Sequence, residues 1–398
     1  MTNISKRLNR LAESATLAMA RMSRELKAEG HDVITLSLGE PDFNTPDFIK
    51  DAAHEAINDN YSHYTPVSGL EEVRSAIVNK FKRDNKLEFD IDQIVISTGA
   101  KQSLANVCLS ILNPGDEVLL PCPYWVSYAE IIKLAEGTPK KIASSIDYDF
   151  KVTAQQIENS ITQKTKLLIF SSPCNPSGTV YEQNELEEIS KVLEKYPDIY
   201  VISDEIYEHI NFTKKHFSIG TIPNMKERTI TVNGVSKGYA MTGWRVGFIG
   251  APLWIAKACN KIQGQITSAT CAIAQKATEK ALLADPKIVT KKMRDKFLKR
   301  RDLVLKKLNE IKGISCNIPQ GAFYVFPDIS YYFGKSDGTI HIRSANDLCM
   351  YLLNNAHVAF VSGEAFGNPE CIRISYAASD EKIIEAMKRV KLQLSKLK

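Results

Sequence analysis

The chain has 398 residues, with 51 Lys and Arg against 46 Asp and Glu for a net charge of +5, and it is 44% hydrophobic and 24% charged. These values, with 20 Gly and 16 Pro, are ordinary for a globular protein and exclude a collagen, a coiled coil or wholesale disorder. The basic residues are spread along the chain without a block, so no nucleic-acid surface is expected, and the length suits two or three domains or one large α/β body with an appendage.

Residues 1–30 are polar and helix-patterned and lack the apolar core of a signal peptide, and no later segment approaches the ~18 apolar residues of a membrane span. The eight cysteines, Cys108, Cys122, Cys174, Cys259, Cys271, Cys316, Cys349 and Cys371, contain no C-x-x-C pair and are too sparse for a disulfide framework. A cytoplasmic protein is expected, with no membrane partner.

In chain order, Leu17, Met22 and Leu26 lie in helical phase between Ser14 and Glu29, and Gly30 stands where a C-terminal cap belongs. A strand-like run follows at 33–39. Strands are then predicted at 94–97, 117–121, 138–142, 166–171, 199–203, 229–233 and 245–250, and helices at 69–83, 100–112, 124–136 and 182–195. Such alternation predicts an α/β fold with a mainly parallel sheet between helices. From about residue 285 the pattern changes to a basic amphipathic helix at 285–311, short strands at 323–326 and 371–376, and a final helix at 379–396, which predicts a smaller α+β domain. No repeat or low-complexity linker separates the two.

Nucleotide motifs are missing: there is no G-x-G-x-x-G, and Gly334-Lys335-Ser336 lacks the upstream glycine of a P-loop. No histidine sits at metal-site spacing, so no metal site is expected. One hydrolase motif matches, Gly234-Val235-Ser236-Lys237-Gly238, and a serine hydrolase is kept as a distant alternative. A nucleophile elbow runs directly from strand into helix; here an irregular segment and another strand follow. Lys237 makes better sense of this loop. A lysine at the carboxyl end of a strand, close to Trp244 and Arg245, can be desolvated until its pKa suits a Schiff-base amine.

The segment from Ser236 to Gly247, SKGYAMTGWRVG, resembles the pyridoxal-phosphate signature of fold type I aminotransferases, in particular the bacterial aspartate aminotransferases of subfamily I. The likeness runs in order through Ser14-Ala15-Thr16, Leu38-Gly39-Glu40-Pro41-Asp42, Tyr64-Thr65-Pro66, Thr98-Gly99-Ala100-Lys101-Gln102, Pro123-Tyr124-Trp125, Asn175-Pro176-Ser177-Gly178-Thr179, Ser203-Asp204-Glu205-Ile206-Tyr207 and Arg373-Ile374-Ser375. It implies a large cofactor domain at 46–284 with a mainly parallel seven-stranded sheet, and a small domain made from 1–45 and 285–398.

The resemblance also implies roles. Lys237 carries pyridoxal 5'-phosphate and later moves the substrate's proton; Asp204 faces the ring nitrogen, Tyr207 and Asn175 the phenolic oxygen, and Trp125 the ring face. Gly99 and Ala100, at a helix N-terminus suited to anions, hold the phosphate with Ser236 and Arg245, while Tyr64 reaches the phosphate of the neighbouring subunit in a homodimer. Arg373, inside the apolar strand CIRIS, binds the α-carboxylate, Gly39 closes over the substrate, and Lys101 with Thr16 takes a second carboxylate. The expected activity is transfer of the amino group of L-aspartate to 2-oxoglutarate, giving oxaloacetate and L-glutamate in a ping-pong reaction. A prephenate, aromatic or broad-range aminotransferase is the alternative; the basic residue that prephenate-accepting relatives tend to carry before Ser14 is here Ala12-Glu13.

Overall fold

The computed structural model describes residues 4–213 and 215–398. Its helices are α1 (Ala15–Ala28), α2 (Asp47–Asn58), α3 (Glu71–Lys80), α4 (Ala100–Ile111), α5 (Ser127–Leu134), α6 (Ala154–Ser160), α7 (Gln183–Glu194), α8 (Leu253–Ile266), α9 (Ala272–Leu283), α10 (Pro286–Val289), α11 (Lys291–Leu308), α12 (Ala345–Ala356) and α13 (Asp380–Leu394). The strands are β1 (Ile34–Thr35), β2 (Ile94–Ser97), β3 (Glu117–Pro121), β4 (Thr138–Ile142), β5 (Thr165–Ser171), β6 (Tyr200–Asp204), β7 (Thr229–Gly234), β8 (Gly247–Gly250), β9 (Tyr324–Val325), β10 (Val358–Ala359), β11 (Val361–Ser362) and β12 (Ile372–Ser375).

β2 to β8 form one sheet in the order β2-β8-β7-β6-β5-β3-β4. All neighbours are parallel except β8, which runs antiparallel to both β2 and β7. Helices cover both faces, which is why β2 and β7 are buried along their whole length and read as continuous apolar and β-branched runs rather than as alternation. The register sets Ser171 of β5 beside Asp204 and Asp204 beside Val232 of β7, so the carboxyl ends of the central strands are level. In an open α/β sheet this edge is where ligands bind. A three-stranded antiparallel sheet, β11-β12-β9, and the parallel pair β1-β10 lie outside it.

One hydrophobic core gathers residues from both chain ends, among them Met19, Leu36, Phe297, Leu348, Ile374 and Leu394, and it reaches Ile206 and Tyr207 next to β6. The expected seven strands fall within a residue or two of their predicted places. Three differences have local causes. The run 33–39 pairs as a strand only at Ile34–Thr35; Leu36 still bonds Ala359 (3.0 Å), and the chain then leaves the ladder for the sheet edge. The helix expected at 69–83 ends at Lys80 and widens into a π turn, Phe81–Asn85, closed by Lys86 in the left-handed region at φ 61°. The helix expected at 285–311 divides at Thr290, whose hydroxyl bonds back to Pro286 O (2.7 Å).

Candidate active site

A cavity of about 490 Å³ opens at the carboxyl edge of the large sheet. Its wall brings together Thr16, Gly39, Ala100, Lys101, Trp125, Asn175, Asp204, Tyr207, Ser236, Lys237, Arg245 and Arg373 from eight separate stretches of chain. Of the expected site residues, two stand apart: Gly99 is the residue capping α4 behind Ala100, and Tyr64 is 99% exposed, outside the cavity of its own chain.

Lys237 follows β7 by three residues, in turns that lead to a short 3₁₀ stretch at Thr242–Trp244 and then to β8. No helix follows Ser236, so the nucleophile-elbow geometry is not built. The Lys237 amine donates to Gly39 O at 2.6 Å. Burial lowers its pKa to about 8, and Arg373 and Arg245 push the same way against Glu40 and Asp204. An amine with that pKa is unprotonated for part of the time near neutrality and can act as nucleophile and base.

Asp204, the last residue of β6, is 5% exposed and has no cation partner among the described residues. Burial raises its pKa to about 6, against the Tyr128 hydroxyl, which donates to Oδ2 at 2.6 Å, and the Ile206 amide, which donates to Oδ1 at 3.2 Å. A buried carboxylate so disposed gains from a cationic N–H placed opposite it.

At another part of the wall, α4 begins at Ala100 with no side-chain cap, because Gly99 has none to offer. Gly247 lets the helix start lie against β8: a Cβ there would fall 2.1 Å from Ala100 N. Gly99 at φ 83° does the same for Arg245, whose Nη2 would lie 2.3 Å from an added Cβ. Arg245 itself holds φ 58°, a conformation costly for a large side chain, and donates through Nη1 to Thr242 O (2.9 Å). Free helix N–H groups, the Ser236 hydroxyl and a guanidinium together can hold a phosphate dianion.

Arg373, in β12, is 1% exposed, and among the described residues no carboxylate pairs with it. Its Nη1 donates to Asn175 Oδ1 (2.9 Å) and Nη2 to Ser37 O (2.6 Å); the guanidinium lies 4.7 Å from the Tyr324 ring centre and 4.8 Å from that of Phe366. Nε, buried, has no partner. Burial of an unpaired guanidinium is costly, so the site is prepared for an incoming carboxylate. The Lys101 amine stands 5.0 Å from the Trp125 ring centre, a second cation in the same cavity.

Among the wall residues not assigned a role from sequence are Tyr128, Tyr324, Glu40 and Ser171. Tyr324 shares a 2.8 Å hydrogen bond with the Tyr207 hydroxyl and packs so closely on Gly39 that a Cβ there would lie 2.3 Å from its oxygen. Glu40 bonds the Thr242 hydroxyl. Two of the four carried a usable signal: Glu40 stands inside the Leu38-Gly39-Glu40-Pro41-Asp42 stretch, and Tyr128 follows Trp125 by three residues at the start of the predicted helix 124–136. Ala12 and Glu13 lie outside the cavity; Ala12 N donates to Glu130 (2.8 Å) and Glu13 pairs with Arg21 (3.5 Å).

The sequence profile of the family described as aminotransferase class I and II matches residues 31–390. A bifunctional aspartate aminotransferase and glutamate/aspartate-prephenate aminotransferase of Petunia hybrida is 45% identical over 401 residues, spanning 100% of this chain and 84% of the relative. A probable aspartate/prephenate aminotransferase of Rhizobium leguminosarum bv. phaseoli is 45% identical, covering 98% of each chain. Among solved structures, the aspartate aminotransferase of Rhizobium meliloti superposes with a TM-score of 0.96 at 39% identity over 100% of both chains, and that of Thermus thermophilus with maleate with 0.93 at 36% identity over 99% of this chain and 100% of the other. The chain belongs to the class I and II aminotransferase family.

Proposed function

We propose that the chain is a pyridoxal 5'-phosphate-dependent aspartate aminotransferase that exchanges L-aspartate and 2-oxoglutarate for oxaloacetate and L-glutamate in two half-reactions. One observation carries the reading: a single cavity joins the buried Lys237 amine, the buried Asp204 carboxylate and the unpaired Arg373 guanidinium. The cofactor, when bound, supplies an aldehyde that takes up the amino group and a protonated ring that withdraws electrons. Asp204 would keep the proton on the ring nitrogen. Gly99, Ala100, Ser236 and Arg245 would hold the phosphate, Tyr207 and Asn175 would donate to the phenolic oxygen, and Trp125 would cover the ring. Lys237, as a free amine, would take the proton from the substrate's Cα and deliver it to the former aldehyde carbon of the cofactor.

Arg373 binds the α-carboxylate, and Lys101 with Thr16 the distal one, with Gly39 above the substrate. The names of the relatives and the maleate complex of the Thermus neighbour support a dicarboxylic substrate. The enzyme works as a homodimer in which Tyr64 serves the partner's site; its full exposure, away from its own cavity, supports this. The chain divides into a large body, 46–284, and a small one from 1–45 and 285–398, supported by the core shared by the two chain ends. Eight free thiols suit the cytoplasm, and no described helix is long and apolar enough to cross a membrane. Prephenate is the second reading: the relatives named for it are 45% identical, and Leu17 and Leu38 give the cavity an apolar wall that a ring could use.

The test is a panel of amino donors with 2-oxoglutarate, followed in the visible spectrum of the bound cofactor. Aspartate is expected to bleach the yellow form. A protein indifferent to aspartate and bleached by tyrosine would refute the substrate assignment.

A further inference from the structure

The turn that delivers Asp204 and Tyr207 to the cavity has a second face. After β6 the chain continues through a turn closed by Glu208 N to Glu205 O (2.9 Å) and Ile210 N to Tyr207 O (2.8 Å). Asp204 and Tyr207 line the cavity, whereas Glu205 and Glu208 do not, and they are 1% and 7% exposed. Two neighbouring carboxylates buried in this way cost several kcal/mol each unless they are compensated, and the proposed reaction uses neither.

Their compensation comes from far along the chain. Lys80, 1% exposed at the end of α3, contacts Glu208 Oε1 and donates to Asn85 Oδ1 at 2.5 Å. The Asn85 amide donates in turn to Glu205 Oε2 (2.8 Å) and Glu208 Oε2 (2.7 Å), so one side chain ties both carboxylates together. Ser218 and Ser203 donate to the two oxygens of Glu205 at 2.6 and 3.0 Å, and His216 Nε2 lies 2.8 Å from Oε2. His209 Nε2 is 3.2 Å from Glu208 Oε1, with Asp84 close by.

Lys80 faces one carboxylate and His216 the other: burial pulls the His216 pKa down, but the facing Glu205 carboxylate overcomes this and the pKa is raised. Burial prevails at His209 and lowers its pKa. The carboxylate oxygens that a bound cation would need already face the Lys80 ammonium and the Asn85 amide.

We propose that Glu205 and Glu208, held by Lys80 and Asn85, are positioning residues of the transamination: they fix the 204–208 turn so that Asp204 and Tyr207 meet the cofactor in one orientation. The proposal rests on the cofactor reading above. On its own side Asp204 has two supports, Tyr128 and the Ile206 amide. One peptide bond away, Glu205 and Glu208 are tied to five other side chains that converge from α3, the π turn, the end of β6 and the 216–218 segment. Cross-linked charged hydrogen bonds of this kind resist rotation more than neutral ones.

The test compares Glu205→Gln and Glu208→Gln with the parent by titrating each with pyridoxal 5'-phosphate. Both keep the shape of the side chain and lose its charge. Each variant is expected to weaken cofactor binding at least about tenfold, the lower end of what outer supports are worth at metal centres. The pH midpoint of the visible band should move down, because negative charge behind Asp204 is lost, and kcat should fall more than KM rises. Lower melting temperatures with unchanged affinity and midpoint would show a merely structural role and overturn the proposal. If neither Gln variant folds, His216→Asn at the cluster's edge removes the imidazole 2.8 Å from Glu205 and should weaken cofactor binding and shift the midpoint; unchanged affinity with an unmoved midpoint overturns the proposal. A parent that binds cofactor with no visible band refutes the cofactor reading itself, whereas a banded parent with unshifted variants refutes only the positioning role.

Discussion

Burial moves the pKa of both Lys237 and Asp204 toward neutrality, and this has consequences for both turnover and stability. Lys237→Ala removes the amine placed to move the proton, so kcat should fall by at least about 10³-fold, in the upper range for general acid–base loss. Cofactor binding should survive in part through the phosphate contacts, as read by equilibrium dialysis. Near-normal turnover would overturn the assignment. For Asp204 the pKa is about 6 in the fold against 3.8 for a free carboxyl, so the folded chain binds the extra proton between these values. The cost of ionising it is therefore absent below pH 3.8 and complete above pH 6. Asp204→Asn should then stabilise the cofactor-free protein at pH 7.5 by about 1–3 kcal/mol, while turnover is lost. At pH 4 the gain in melting temperature should vanish; a gain independent of pH would mean that the carboxylate is not strained by burial. Arg373 belongs to the same set. Arg373→Lys keeps the charge but loses the planar fork, and kcat/KM for aspartate should drop about 10²-fold in steady-state assays.

At the scale of elements, the strap that follows β1 forms part of the cavity wall and is anchored from behind. Residues 38–43 pass from Leu38, Gly39 and Glu40 in the cavity wall to Asp42, which accepts both Nη atoms of Arg300 in α11 at 2.7 and 2.8 Å. Arg300 also reaches Asp380 at the start of α13 (3.2 Å) and lies 5.6 Å from the Phe43 ring centre. The anchor thus ties the strap to two helices of the proposed small body. Arg300→Met should cost about 1–3 kcal/mol in denaturant unfolding, less than for a fully buried pair because Asp42 and Asp380 keep some solvent. It should also raise KM for aspartate more than it lowers kcat, since the strap loosens while the reacting groups stay in place. None of this pairing was legible in the sequence, and the reason is general. Periodicity reports which face of its own element a residue takes, so the strands of the large sheet and the amphipathic α13 could be read from it. Arg373 was legible for a different reason, as a charged residue inside an apolar strand, and Lys237 through its company, the SKGYAMTGWRVG segment and the resemblance it carries. Asn85 and Glu205 meet across 120 residues, and Arg300 and Asp42 across 258, and no local pattern records such a meeting. The premature end of α3 has the same origin, since the π turn serves the distant carboxylates and not the helix.

At the scale of the whole molecule, the proposed dimer requires one chain's exposed loop to serve the site of the other. Tyr64 is 99% exposed and absent from its own cavity, while Thr98 and Arg245, beside the proposed phosphate site, also line a broad surface depression with Trp244 and Cys271. A second copy with its loop in that depression would bring a Tyr64 hydroxyl to the phosphate, and a two-fold axis would make the exchange reciprocal. Tyr64→Phe alone should weaken cofactor binding about tenfold, as for one hydrogen bond to a charged group. A mixture of Tyr64→Phe and Lys237→Ala chains makes the sharper experiment. In a mixed dimer, the site built on the Tyr64→Phe chain keeps its own Lys237 and receives an intact Tyr64 from its partner, while the other site carries both defects. After subunits exchange, the mixture should therefore acquire a population of sites with parental cofactor affinity and turnover that neither variant has alone. If Tyr64 acted within its own chain, every site retaining Lys237 would still lack the hydroxyl, and mixing would restore nothing.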